Sequence, residues 1–254
     1  CFVRGNVFSG NAAFGVFATV GTYGGEYSQN YTEDSGLELI GIRYDCHDIK
    51  VIGNTAINCL DNGISVTGYN CTVTGNICHT NKGSGIHLYG SNNTAVGNVC
   101  YNNGQNQVNR AGIQIAGDAG GVATNNTVVG NVCFDNQTVP TQTWGISLGN
   151  NDYTVWSTGV SVSLNSYRYY LNNLYIAASA GTTGATPPTW TTGTQSDGGV
   201  NWTFITTTTT SFNATGNEVT ANRCFGNSSQ DFNNQATAGT NTVDNFGNLA
   251  SYGY

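Results

Sequence analysis

The sequence predicts an all-β protein built as a stack of parallel coils, and two recurrences predict it. Gly-Asn pairs stand at Gly5-Asn6, Gly53-Asn54, Gly75-Asn76, Gly97-Asn98 and Gly130-Asn131, with Ala221-Asn222 as a variant. About ten residues later follow Gly15-Val16, Gly63-Ile64, Gly85-Ile86, Gly112-Ile113 and Gly145-Ile146. Gly53 to Gly75 is 22 residues and Gly75 to Gly97 another 22, while 33 separate Gly97 from Gly130, where residues 104–110 and 117–122 interrupt. A fixed period of this size marks a solenoid.

The elements of one coil follow in order. Two residues before each Gly-Asn stands an apolar residue, Val3, Val51, Val73, Ala95, Val128 or Val219, which gives an inward column on a first strand. The Gly-Asn pair then turns the chain. Neighbouring strands lie roughly 4.8 Å apart, so the Asn residues of successive coils stack and their amides can bond along the column. Three residues after the Gly come Cys78, Cys100, Cys133 and Cys224, in a slot that Phe8 and Ala56 fill elsewhere. This column reads as reduced thiols packed as small hydrophobes, although the coil spacing lies within disulfide reach. Six residues after the Gly stand Asn11, Asn81, Asn103, Asn136 and Asn227, with Cys59 the exception, so a second Asn column turns the coil again.

After the second Gly the pattern alternates. Ile42, Ile64, Ile86, Ile113 and Ile146 form one expected inward column, and Tyr44, Val66, Leu88, Ile115 and Leu148 the next. Between them Arg43, Ser65, His87, Gln114 and Ser147 face outward, followed by Asp45, Thr67, Tyr89, Ala116 and Gly149. Alternate side chains of a strand point to opposite faces, so these outer columns are expected to form an exposed sheet face. No segment carries a helical period.

Short strands separated by Gly-Asn and Asn-Gly-Ile turns resemble the parallel β-helix repeats of the pectate-lyase-like superfamily, over residues 1–150 and 214–248. The resemblance implies a right-handed, single-stranded parallel β-helix. Between Asn150 and Phe212 the repeat disappears, and residues 151–213 read as a small β module inserted before the last coils, 214–254. Within it, residues 175–205 resemble an accessory module of bacteriophage tail fibres and tailspikes, in which an Ala-Gly-Thr-Thr-Gly turn (180–184), Pro187-Pro188 and the strand from Asp197 to Trp202 recur together. That resemblance implies a homotrimer in a virion tail that binds and cuts host surface polysaccharide; a secreted protein is the alternative setting. Tyr44-Asp45-Cys46-His47 resembles the Asp-Pro-His signature of alginate epimerases, with Cys in place of Pro.

Composition narrows the setting. Only 8% of the residues are charged, the formal net charge is -7, and seven basic residues are scattered over 254 positions, which excludes a nucleic-acid backbone as partner. No run of 18 apolar residues exists, so no membrane insertion is expected. A chain without Met that opens on Cys1 and is strand-like by Val3 reads as a piece of a longer polypeptide. Neither a CxxC nor a Cys/His spacing suited to zinc occurs, and no metal or cofactor is expected; Cys46-His47 are adjacent, poor geometry for a shared ion.

Chemistry is expected on the face after Gly-Ile, where an extended glycan can lie across several coils. A hydrolase needs two carboxyl groups, one held protonated as general acid. Asp45 and Asp61, with Asp118 in the loop beyond, are the carboxylate candidates, and His87 joins Asp45 and Asp61 as a catalytic candidate. Arg43, Tyr89, Arg110, Gln114, Asp118 and Trp144 are substrate-binding candidates; Trp144 could stack on a sugar or pack under the insertion. A lyase or epimerase would instead use His87 or Tyr89 as base and Arg43 and Arg110 to hold a uronate carboxylate. A tail component that binds polysaccharide without cutting it is the third reading. Asp48, Asp135 and Asp231 read as turn residues.

Overall fold

The computed structural model describes the chain except residues 20, 108, 118–122, 150–153, 171–172, 208–213, 235–240 and 244–254. It divides into two compact units, Cys1–Asn150 with Phe212–Tyr254, and Asn151–Ser211. The first unit is a parallel β-helix. Its strands lie in three parallel sheets of 8, 7 and 7, built by successive coils, with Ala123–Thr124 and Ala214–Thr215 paired in a further two-stranded sheet. Among the described residues there is no helix.

The first sheet carries the expected apolar column, with Val51, Val73, Ala95, Val128 and Val219 in direct register. Tyr27 belongs to it too, paired with both Val3 and Val51. A whole coil therefore lies between the first two Gly-Asn pairs. Its turn is Gln29-Asn30, where Gln29 takes the left-handed conformation (φ 54°) that Gly53 takes with φ 60°. The left-handed region costs a residue with a Cβ about 1 kcal/mol, which is why Gly stands there in most coils.

The Asn of each pair then ties the coils together. Asn54 donates from its backbone N and from Nδ2 to Asn76 Oδ1, both at 2.9 Å, and Asn76 repeats this to Asn98, Asn98 to Asn131 and Asn131 to Asn222. The second Asn column is corrected in one coil. Asn103 bonds to Gln142 Oε1, and Gln142 Nε2 to Asn227, whereas Asn136 pairs with Asn102 nearer the surface. A loop of this coil reaches further before it turns in, so an amide one methylene longer completes the column. A third column, Asn93, Asn126, Asn217 and Asn241, turns the chain into the first sheet.

The second sheet stacks Cys78, Cys100, Cys133 and Cys224 in register, all buried and unbridged. Burial first, then hydrogen bonding to Cys133 and Cys78, holds the Cys100 thiol well above its ordinary value. Burial likewise pushes Cys59 up to about 12 and Cys71 to about 11. On the outer side of this sheet Tyr101, Phe134 and Phe225 stack ring on ring at 5.0 and 4.9 Å.

In the third sheet Ile40, not Ile42, pairs with Ile64, and Ile42 pairs with Val66. The inward columns are thus Ile40, Ile64, Ile86, Ile113 and Ile146, and Ile42, Val66, Leu88, Ile115 and Leu148. The expectation for this one coil was two residues out of step, and Tyr44 is exposed beyond the strand. The second Gly exists because coils approach closely there: a Cβ on Gly85 would lie 2.7 Å from the carbonyl oxygen of Gly112. Coil two carries Leu39 at that position, which hides its register in the sequence.

The second unit has its own core of Trp156, Val162, Tyr175, Ala177, Val200 and Trp202. Its five-stranded sheet runs in the order Thr154–Val155, Tyr167–Tyr170, Asn173–Ala177, Val200–Thr207, Thr194–Asp197. The Gly-Thr-Thr-Gly turn packs directly on Gly198-Gly199, since a Cβ on Gly181 would meet Gly199 O at 2.1 Å. Asp197 accepts a hydrogen bond from Trp156 Nε1 at 2.6 Å. The Gly-Thr-Thr-Gly turn and the segment that opens on Asp197 therefore form one packing unit.

Candidate functional site

The central outward column of the third sheet is Gly41, Ser65, His87, Gln114, Ser147 and Asn233. Ser65, His87, Gln114 and Ser147 were expected to face solvent, yet these four and Asn233 are all buried, His87, Gln114 and Ser147 completely. Period-two alternation says which face a residue occupies, not what lies over that face. Buried polar groups cost about 1–3 kcal/mol each when unsatisfied, and hydrogen bonds among them meet part of that demand here, with Gln114 Nε2 left unbonded. Ser84 donates to Gln114 Oε1 at 2.8 Å and accepts from the Ala111 N–H. Asn62 Oδ1 accepts from the Ser84 N–H, and Asn62 Nδ2 reaches Ser65 Oγ. The His87 ring stacks on Tyr89 with centroids 3.5 Å apart.

At one end the network closes on a carboxyl group that the sequence reading missed. Glu38, 8% exposed, accepts a hydrogen bond from Ser65 Oγ at 2.9 Å. Burial raises its pKa above the ordinary value of 4.5, the Asp61 carboxylate raises it further, and the Ser65 hydrogen bond and the Arg43 charge only partly offset them. Glu38 immediately precedes Leu39-Ile40, the true counterpart of Gly63-Ile64. It was overlooked because that coil lacks both of its marker glycines.

The structure distributes the other candidates as follows. Asp61 is partly buried at the turn into the third sheet, near enough to Glu38 to act on its charge. Arg43 does not share the Ser65–His87–Gln114 column, which takes Gly41 there; it is exposed, with its guanidinium 5.2 Å from the Phe17 ring and 5.7 Å from that of Phe14. A side chain at 41 has no room, since its Cβ would lie 2.7 Å from the Phe14 ring. Asp45 falls in an exposed turn with φ 51°, outside the strand column. Trp144 is buried, 7% exposed, and presents no open ring face. Arg110 is partly buried, its Nε bonded to Gln107 Oε1 at 2.7 Å. Asp118 lies outside the described residues.

Of the aspartates read as turn residues, Asp48 lies within the strand His47–Ile52, where it takes a left-handed φ of 57°. Asp135 accepts from the Gln137 N–H two residues on, as a turn aspartate does, and from the N–H groups of Thr141 and Gln142, whereas Asp231 lies within the strand Gln230–Asn234. Cys46 is buried with its thiol toward Thr19 O, while His47 bonds Asp48 and stacks on Tyr23 and Tyr69, so the two neighbours point apart.

No protein-family model and no curated protein sequence matches the chain. Among solved structures, a variant of the periplasmic alginate epimerase AlgG superposes with a TM-score of 0.55 and 14% identity, over 96% of this chain and 45% of that one. The A-module of the Azotobacter vinelandii mannuronan C-5 epimerase AlgE4 matches with a TM-score of 0.47 and 16% identity, over 57% of this chain and 46% of that one. The chain spans less than half the length of either. At such identity the likeness to AlgG shows a shared parallel β-helix fold.

Proposed function

We propose that this chain is a polysaccharide-cleaving enzyme that works by glycoside hydrolysis, with Glu38 as general acid and Asp61 as its carboxylate partner. The observation that carries the reading is the Glu38–Asp61 pair, in which burial and a neighbouring negative charge disfavour the charged form of one carboxyl beside another. Two carboxyl groups in unlike environments are what glycosidic cleavage requires, one to protonate the leaving oxygen and one to act as base or nucleophile. The two residues stand on adjacent coils, at roughly 4.8 Å per coil, which suits the roughly 5–9.5 Å between paired glycosidase carboxylates. Ser65 orients Glu38 through its hydroxyl.

The polysaccharide class is supported by the fold shared with AlgG, a periplasmic alginate epimerase; action outside the cytoplasm is proposed with it. The finer setting, a homotrimeric bacteriophage tailspike acting on capsule, exopolysaccharide or O-antigen, rests on the resemblance of residues 175–205 and on the packing of their Gly-Thr-Thr-Gly turn against the segment that opens on Asp197. A second reading, lyase or epimerase, is favoured by the His87–Tyr89 stack and by the AlgG fold. Incubation with capsule and lipopolysaccharide preparations separates them. New reducing ends without absorbance of an unsaturated uronate support hydrolysis; that absorbance, or a change in uronate configuration without cleavage, supports the second reading; binding with no product points to a receptor-binding component.

A further inference from the structure

Further along the stack the turns leading into the third sheet form an open cleft of about 280 Å³, lined among others by Gln105, Asn106, Gln107, Pro140, Thr141 and Ser228. We propose that this cleft is a separate subsite for a single uncharged sugar unit of the glycan; the assignment of a glycan as ligand rests on the function proposed above. Three observations carry it.

The lining contains amides, hydroxyls and one proline ring but no ionisable side chain, which suits a ligand that is polyhydroxylated and uncharged. The neighbouring Arg110 is engaged through its Nε by the lining residue Gln107, at 2.7 Å from Oε1. The volume falls just below the roughly 300 Å³ at which drug-sized ligand sites begin, which suits about one sugar ring.

The walls are built rather than incidental. The Asp135 carboxylate gathers the backbone N–H groups of Gln137, Thr141 and Gln142 at 2.8–2.9 Å and so fixes one wall from behind. Gln105 Nε2 crosses to Thr141 Oγ1 at 3.1 Å, which in turn donates to Asn103 O, joining the two loops. Gly104 at φ 74° lets them approach, since a Cβ there would lie 2.9 Å from Thr141 O. A preformed cleft loses less entropy on binding than one that must order itself.

Saturation-transfer NMR with glucose, galactose, rhamnose and glucuronate, each at millimolar concentration, tests the proposal on the whole chain. The expected result is transfer to at least one neutral sugar and weaker transfer to glucuronate. That signal should vanish in Ser228→Trp, which fills the cleft, and affinity should fall about tenfold in Asn106→Ala, an exposed position outside the strands, as expected for one or two lost hydrogen bonds. Transfer to none of the four, equal or stronger transfer to glucuronate, or a signal that survives both variants overturns the subsite. Glu38→Gln should leave this binding unchanged, so the subsite and the hydrolytic reading fail separately.

Discussion

Glu38 is a carboxyl whose charged form is disfavoured in the folded chain by burial and by Asp61. With a folded pKa above 4.5, the native state holds the proton more tightly than the unfolded state does. Stability is therefore greatest below the ordinary value and declines as pH rises through the folded one, above which the whole penalty stands. Glu38→Gln keeps an oxygen for Ser65 and removes the charge. It should raise the melting temperature at about pH 8 and make no difference at about pH 4, measured by calorimetry at both. A variant less stable than the parent at about pH 8 contradicts the burial argument. Such a site, where the chain accepts a destabilising group, is where function is expected to lie. Asp61 was legible because it directly precedes Asn-Gly-Ile; Glu38 was not, because Leu39 stands where its coil should show Gly. That single substitution also moved Arg43 and Asp45 onto a face they do not occupy.

The Asn columns do for the coils what a covalent repeat cannot, giving each turn a partner above and below. Asn76 accepts from Asn54 and donates to Asn98 and to Val51 O, all within the buried interior. Asn76→Ala strands several of these groups at about 1–3 kcal/mol each, so a loss of about 3 kcal/mol or more is expected in urea unfolding. A change under about 1 kcal/mol would show that water replaces the column. The thiol column gives an independent check of the interior. Cys1 is exposed and the other seven cysteines are buried, so a thiol reagent should label one site quickly and the rest only on unfolding. Rapid labelling of Cys78, Cys100 or Cys133 in the native protein is incompatible with the coil register. These columns were readable because Gly-Asn and Cys recur at fixed offsets. Gln142 was not, since the loop before it breaks the count. Neither was the third column, because Cys71 replaces its first Asn.

At the scale of the whole chain, two cores are stitched into one sequence. Asn126 and Asn131 bond to Asn217 and Asn222, 91 residues onward, so the coil stack continues across the insertion. Deleting residues 151–211 and joining the ends through a short linker should leave the stack folded, because loop closure depends only weakly on length. Loss of the β circular dichroism, or insolubility, would show that the segment is needed by the coils. The covering of the third sheet's outer face could not be read from any repeat, and it changes what the face can do: a buried polar strip ending in a carboxyl whose charged form is disfavoured suits the proton transfer proposed above better than an open surface would. The measurement that bears most directly on this is the pH dependence of glycan cleavage in the parent and in Glu38→Gln. Glu38 as general acid predicts activity that falls as pH rises through its elevated pKa, and a variant slower by about 10²–10⁴-fold with binding retained. A Glu38→Gln variant that cleaves at the parental rate with the same pH profile contradicts it.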